Sequence, residues 1–230
     1  MIYASIASTP NRLNALIQTI HSLSHQVDKI FVYLNGYESI PNITIKNVIF
    51  YLSEKNNGAI GKFLIHNEYN LGGNYYWFTC DDDIVYPKDY VDFNIKIHKY
   101  GTLQSSHGKI YSSFPIKNYA NPDKRYHFVS NVINNNTITI GGTGVMMLPS
   151  HIMNSIPIIY EDSIKNSVDI WISSWAYNNN IEILQVPHEE NWLISQNIDY
   201  SNSIYNNDLK NKHKNATNLA NKLFKIKNKQ

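Results

Sequence analysis

The first hundred residues alternate short apolar runs with segments of helical period, and few folds accept that order. Ile2–Ala7, Lys29–Leu34, Lys46–Leu52 and Tyr75–Cys80 are apolar or aromatic and bounded by turn residues, which predicts buried strands. Between them, Leu13, Leu16, Ile17, Ile20 and Leu23 stand at helical spacing within residues 11–25, and residues 59–69 and 88–100 predict two further helices. Parallel neighbours need a crossover, so the alternation predicts an α/β fold whose mostly parallel central sheet is flanked by helices. Such sheets hold ligands beyond the carboxyl ends of their strands. That rule directs attention to Ser8–Arg12, Asn35-Gly36 and Asp81–Asp83, which all follow strands.

The second half is less periodic. Leu103–Ser106 predicts a fifth strand, and Phe128–Ile133 and Thr137–Ile140 flank Asn134-Asn135-Asn136 as a hairpin would. Gly141-Gly142-Thr143-Gly144 leads into an apolar strand, Val145–Leu148. A helix follows over Val168–Asn178 and a last strand over Ile181–Val186. From about Asp208 an amphipathic helix is predicted, with Ala216, Leu219, Ala220, Leu223 and Phe224 among lysines. The expected organisation is one domain over residues 1–205, in two halves over 1–100 and 101–205. A basic amphipathic extension over 206–230 completes the chain.

The net charge of +2 is a sum of unlike parts. Residues 1–209 hold 13 Lys and Arg against 18 Asp and Glu, whereas residues 210–230 hold seven Lys and no acid. An acidic body with a basic tail excludes a nucleic-acid binder that is basic throughout. The tail reads either as a solvated terminus or as a helix lying on anionic lipid, in peripheral contact through residues 210–230. The single Cys80 excludes a disulfide framework and a cysteine-based zinc site. The N-terminus lacks the pattern of a signal peptide and no run approaches a membrane span, so the expected location is the cytoplasm, on the inner face of its membrane if the tail binds lipid.

Three adjacent carboxylates at the end of a buried strand repel one another and call for a counter-charge. A divalent cation is the simplest, and hard oxygen donors suit Mg²⁺ or Mn²⁺. The alternative is an acidic turn ahead of the next helix. Lys62, after Gly61, has an ammonium suited to a diphosphate, although a solvated helix lysine explains it equally.

Taken together, Ile6-Ala7-Ser8-Thr9-Pro10-Asn11-Arg12, the run Gln26–Asn35, Gly61-Lys62-Phe63 and Tyr76–Tyr90 with its Asp81-Asp82-Asp83 resemble the GT-A glycosyltransferases. The likeness is to glycosyltransferase family 2, and within it to bacterial capsule and surface-polysaccharide enzymes. It is good over residues 1–100, weaker over 100–200, and does not reach the tail. The resemblance implies a Rossmann-like fold with a nucleotide-binding half over 1–100 and an acceptor half over 101–205, and metal-dependent, inverting transfer of a sugar from a nucleotide-diphosphate sugar, a UDP-sugar favoured, to a growing surface glycan; a tail on lipid would hold the chain near a lipid-linked acceptor. The resemblance places Ala7, Ser8, Thr9, Arg12, Asn35, Lys62, Asp81 and Asp82 at the nucleotide, and Gly142 and Thr143 near the donor sugar. Asp83 with Asp81 would bind the metal, with His188 as third ligand. Asp169 would be the general base, with Glu161 and Asp162 as rivals. A non-catalytic nucleotide-sugar-binding module and a sugar nucleotidyltransferase are the competing expectations.

Overall fold

Period-two alternation along the strands sends neighbouring side chains into two separate cores. The computed structural model describes residues 1–69, 71–196 and 209–224. Its first half runs β1 (Ile2–Ser8), α1 (Leu13–Leu23), β2 (Lys29–Asn35), β3 (Val48–Ser53), α2 (Gly61–Asn67), β4 (Tyr76–Asp81), β5 (Ile84–Val85) and α3 (Tyr90–Lys96). There follow β6 (Leu103–Ser105), β7 (Gly108–Ile110), β8 (Lys124–Tyr126), β9 (Thr137–Ile138), β10 (Ile140–Gly141), β11 (Val145–Pro149) and α4 (Ser150–Met153). The chain then runs through α5 (Val168–Asn178), β12 (Ile183–Gln185), β13 (Ile194–Ser195) and α6 (Leu209–Leu223).

Eight strands form the central sheet in the order β3-β2-β1-β4-β11-β6-β12-β9. Neighbours from β3 to β4 are parallel, β11 is antiparallel to both β4 and β6, β12 is parallel to β6, and β9 is antiparallel to β12. Ala4, Ile6, Ile30, Val32, Leu34, Phe78 and Cys80 face one core with Leu16, Ile20 and Leu23 of α1 and Val91 of α3. Tyr3, Phe31, Tyr33, Trp77, Met146 and Leu148 face the other with Phe63 and Ile65 of α2 and Val168, Ile172 and Ala176 of α5. The sheet is thus covered on both faces, which explains the nearly unbroken apolar runs of its strands.

The hairpin expected across Asn134–Asn136 does not form. Thr137–Ile138 pairs with β12 instead, and of the preceding run only Val132 bridges, to His188. The burial gained beside β12 outweighs local turn preference. The terminal helix is also placed differently from either expectation. Ala220 and Phe224 are buried against Tyr111, Ile116, Ile140 and Ile170, with Ala216, Leu219 and Leu223 packed beside them. The apolar stripe that suggested a lipid-facing helix is therefore occupied by the body. Lys214 and Lys222 are exposed, whereas the side chains of Lys210 and Lys212 and all of Lys225, Lys227 and Lys229 lie outside the described residues. Among the described residues no helix is long and apolar enough to cross a membrane.

Candidate functional site

From β1 the chain winds outward through β2 and β3, then returns to β4 on the other side of β1. That reversal opens a crevice at the carboxyl ends of β1 and β4, where open α/β sheets hold ligands. Ala7 and Asp81 are partners in the register, so Ser8-Thr9 and Asp81–Asp83 leave the sheet side by side. The loop after β1 is pinned from the turn that follows β2: the Tyr37 hydroxyl donates to the Thr9 carbonyl at 3.0 Å and lies 3.4 Å from Ser8 Oγ. The Thr9 hydroxyl donates to Asn11 Oδ1 at 2.6 Å, which shapes the turn into α1. Ala7 packs against the core.

The counter-charge demanded by three carboxylates comes from the chain itself. Arg12 Nη1 pairs with Asp82 Oδ1 at 2.8 Å and Asp83 Oδ2 at 3.1 Å. Lys62 Nζ pairs with Asp81 Oδ1. Arg12 and Lys62, the two cations expected at a nucleotide, are both paired with these acids. Burial works against the charge of Lys62, whose side chain is 3% exposed, yet Asp81, with Asp169 and Asp82 beyond it, raises its pKa. Arg12 is raised in the same way, burial being outweighed by Asp82 and then Asp83. Two cations against three carboxylates leave one negative charge in excess. It shows at Asp83, which burial and the carboxylates of Asp81 and Asp82 push up to about 6. Burial also raises Asp82, against the pull of Arg12.

Carboxylate oxygens are the hard donors that Mg²⁺ and Mn²⁺ take, and Asp82 Oδ2 is buried without a hydrogen-bond partner among the described residues. Among the described residues no three His, Cys, Asp or Glu side chains form a group that could hold a metal ion, so Asp81, Asp83 and His188 are not gathered into one. His188 instead bridges Val132 through the backbone, brings Nδ1 within 2.7 Å of the Val186 carbonyl, and stacks its ring toward Trp192. Asn35 is likewise committed: its Oδ1 accepts the Asn57 N–H at 2.8 Å and its Nδ2 donates to the Gly58 carbonyl at 3.1 Å. These bonds fasten the turn before α2.

Because β11 is antiparallel, its amino end reaches the carboxyl end of β4. Gly144 there lies so close that a Cβ would stand 2.0 Å from Asp81 Oδ2. The Tyr86 hydroxyl ties the junction, donating to the Gly144 carbonyl at 2.5 Å and accepting the Asp81 N–H at 2.9 Å. Thr143 donates to Asp169 Oδ1 twice, from its N–H at 2.8 Å and its hydroxyl at 2.6 Å. Asp169 Oδ2 takes no hydrogen bond among the described residues. Gly142 backs onto His107, whose Cβ is 3.0 Å from where a Gly142 Cβ would stand. The glycines expected beside a donor sugar thus admit the protein's own Asp81 and His107, and Thr143 positions the expected base.

Lys62, Asp81, Thr143 and Asp169 share one cleft of about 1070 Å³, a volume ample for a nucleotide sugar and part of an acceptor. Asp162 also lines it and accepts the Tyr160 hydroxyl at 2.5 Å, whereas Glu161 accepts from Ser163. Sequence reasoning missed Tyr86 and the cleft lining by Lys109, Arg125, His127, His213 and Lys222. The one available signal was that Arg125 is one of only 2 arginines.

No protein-family model matches the chain, and no curated protein matches it. Among solved structures, HddC from Yersinia pseudotuberculosis is similar at 14% identity and a TM-score of 0.42, covering 68% of this chain and 80% of its own. A197 from STIV is similar at 12% identity and 0.40, covering 86% and 95%. Mannose-6-phosphate isomerase from Helicobacter pylori is similar at 13% identity and 0.38, covering 81% and 86%. Likeness this low transfers neither activity nor ligand to the chain.

Proposed function

We propose that the chain is a metal-dependent glycosyltransferase of the GT-A kind, moving a sugar from a nucleotide-diphosphate sugar, UDP-linked by preference, to a surface-glycan acceptor with inversion. The observation that carries this reading is the sharing of one cleft by Asp81, at the end of β4, and Asp169, held through one oxygen. Asp83 and Asp81 would hold Mg²⁺ or Mn²⁺, which when bound neutralises charge on the diphosphate leaving group. Arg12 and Lys62 hold the acids in place in the meantime. Asp169 accepts the proton of the acceptor hydroxyl at its unbonded Oδ2, while Thr143 fixes the carboxylate plane. The Ser8–Arg12 loop, at the crevice, borders the nucleotide.

A second reading, a binding module that works without metal, is favoured by the ion pairs of Arg12 and Lys62, which already answer two of the three charges. Thermal-shift screening of UDP-sugars separates the two. The enzyme reading expects stabilisation that needs Mn²⁺ and disappears in Asp83→Ala. Binding indifferent to both overturns the metal. For the base, Asp169→Asn should retain donor binding and lose transfer by roughly 10²–10⁴-fold. Full transfer in that variant would move the role to Asp162 or Glu161.

A further inference from the structure

We propose that the acceptor carries an anionic substituent, a phosphate or a carboxylate, received by Arg125, His127, His213, Lys109 and Lys222 in the same cleft as Asp169. The proposal rests on the glycosyltransferase reading and names the acceptor class of that site. These groups come from separate elements: Lys109 from β7, Arg125 from β8, His127 just beyond it, and His213 and Lys222 from α6.

The basic lining is rooted in the fold. Asn221 clamps the Ile116 backbone, its Oδ1 accepting the N–H at 2.7 Å and its Nδ2 donating to the carbonyl at 3.0 Å. Thr217 Oγ1 accepts the Tyr119 N–H at 2.9 Å. Lys109 Nζ stands 3.5 Å from the Tyr119 ring centroid, and Arg125 Nη2 donates to the Ala120 carbonyl at 2.7 Å. The helix that carries His213 and Lys222 is thus fastened to the segment that steadies Lys109 and Arg125.

Among the described residues neither Arg125 nor Lys222 is ion-paired with a carboxylate, and both are exposed. The field of His127, Lys109 and Arg125 reaches His107 at the edge of the cleft. Burial holds its imidazole down to about 3, and the like charges of His127, Lys109 and Arg125 add to that effect. Elsewhere in the cleft Lys62 is already paired with Asp81, and Asp162 and Asp169 add negative charge, so an anionic ligand is steered to the basic lining. The donor diphosphate is served by the Asp81–Asp83 crevice, which leaves this charge to the other substrate.

Ligand-observed NMR on the full chain tests the proposal with galactose, galacturonate, galactose 6-phosphate and inorganic phosphate as probes, and with UDP plus Mn²⁺ as control. Either sugar anion should bind about tenfold tighter than galactose, the scale of one charge-assisted hydrogen bond. The two arms distinguish carboxylate from phosphate. The preference should vanish in Arg125→Gln/Lys222→Gln, with UDP affinity and melting temperature unchanged. Equal binding of neutral and anionic sugars overturns the proposal, as does failure of both sugar anions and of inorganic phosphate to bind. A fall in UDP affinity in the double variant also overturns it, by giving the basic lining to the donor. Absence of UDP binding by the unsubstituted chain counts against the glycosyltransferase reading instead, while the anion preference is still read by itself.

Discussion

Thr143 makes both hydrogen bonds that hold Asp169 Oδ1, and only one of them depends on its side chain. Thr143→Val keeps the backbone donor and deletes the hydroxyl. A hydrogen bond to a charged group is worth roughly 1.5–3 kcal/mol, so turnover should fall about tenfold or more. Donor affinity should stay unchanged in the same assay. A fall in both would give Thr143 a donor contact as well. Gly144→Ala acts on the neighbouring carboxylate: its Cβ, 2.0 Å from Asp81 Oδ2, must push Asp81 off Lys62. Overpacking of this kind costs about 1–3 kcal/mol, read by denaturant unfolding, and Mn²⁺-dependent donor binding should weaken with it. The two sites differed in how far sequence revealed them. Three carboxylates after an apolar strand are conspicuous because like charges in sequence stay like charges in space. The Thr143–Asp169 bond spans 26 residues and the Tyr86–Gly144 bond spans 58, so both depend on which strands become neighbours.

Elements were legible where period and length agreed. Val168–Asn178 is a helix over the span its pattern predicts, and the four N-terminal strands fall within two residues of theirs. The helix expected over residues 88–100 shrinks to Tyr90–Lys96, and two short strands, β5 and β13, pair with each other alone among the described residues. Two-residue strands carry no period, so nothing in the sequence announces them. Helix α6 was visible as an amphipathic pattern, but a pattern does not say what covers the apolar side. Here the cover is α5 and the Phe114–Tyr119 segment, with Phe114 and Phe224 stacked at 4.6 Å between centroids. Phe224→Ala should cost about 3–5 kcal/mol in unfolding free energy. Asn221→Ala, which removes two hydrogen bonds to backbone, should cost about 1–3 kcal/mol and speed hydrogen exchange at the Ile116 amide. No change in exchange there would mean that the helix docks by its apolar side alone.

At the scale of the whole molecule, the cleft gathers basic groups beside acidic ones, and His107 registers the balance. Its folded pKa, about 3, lies below the ordinary 6.5, so the unfolded chain binds the extra proton. The stability this group contributes is present above pH 6.5 and is lost as pH falls from there toward 3. His107→Gln should therefore flatten the melting-temperature profile between pH 6.5 and 4, relative to the unsubstituted chain. An unchanged slope would assign acid sensitivity to other groups. The same cleft has a kinetic consequence. Its Asp81 and Lys62 stand 19 residues apart, whereas the clamp that seats α6 joins Asn221 to Ile116 across 105. Loop closure over such a span is slow compared with local pairing. During synthesis the acidic crevice can therefore take shape while the ribosome is still adding residues. The basic side is complete only when the segment through Phe224 has emerged and docked His213 and Lys222 beside Lys109 and Arg125, so a nascent chain passes through a stage that lacks part of the cleft.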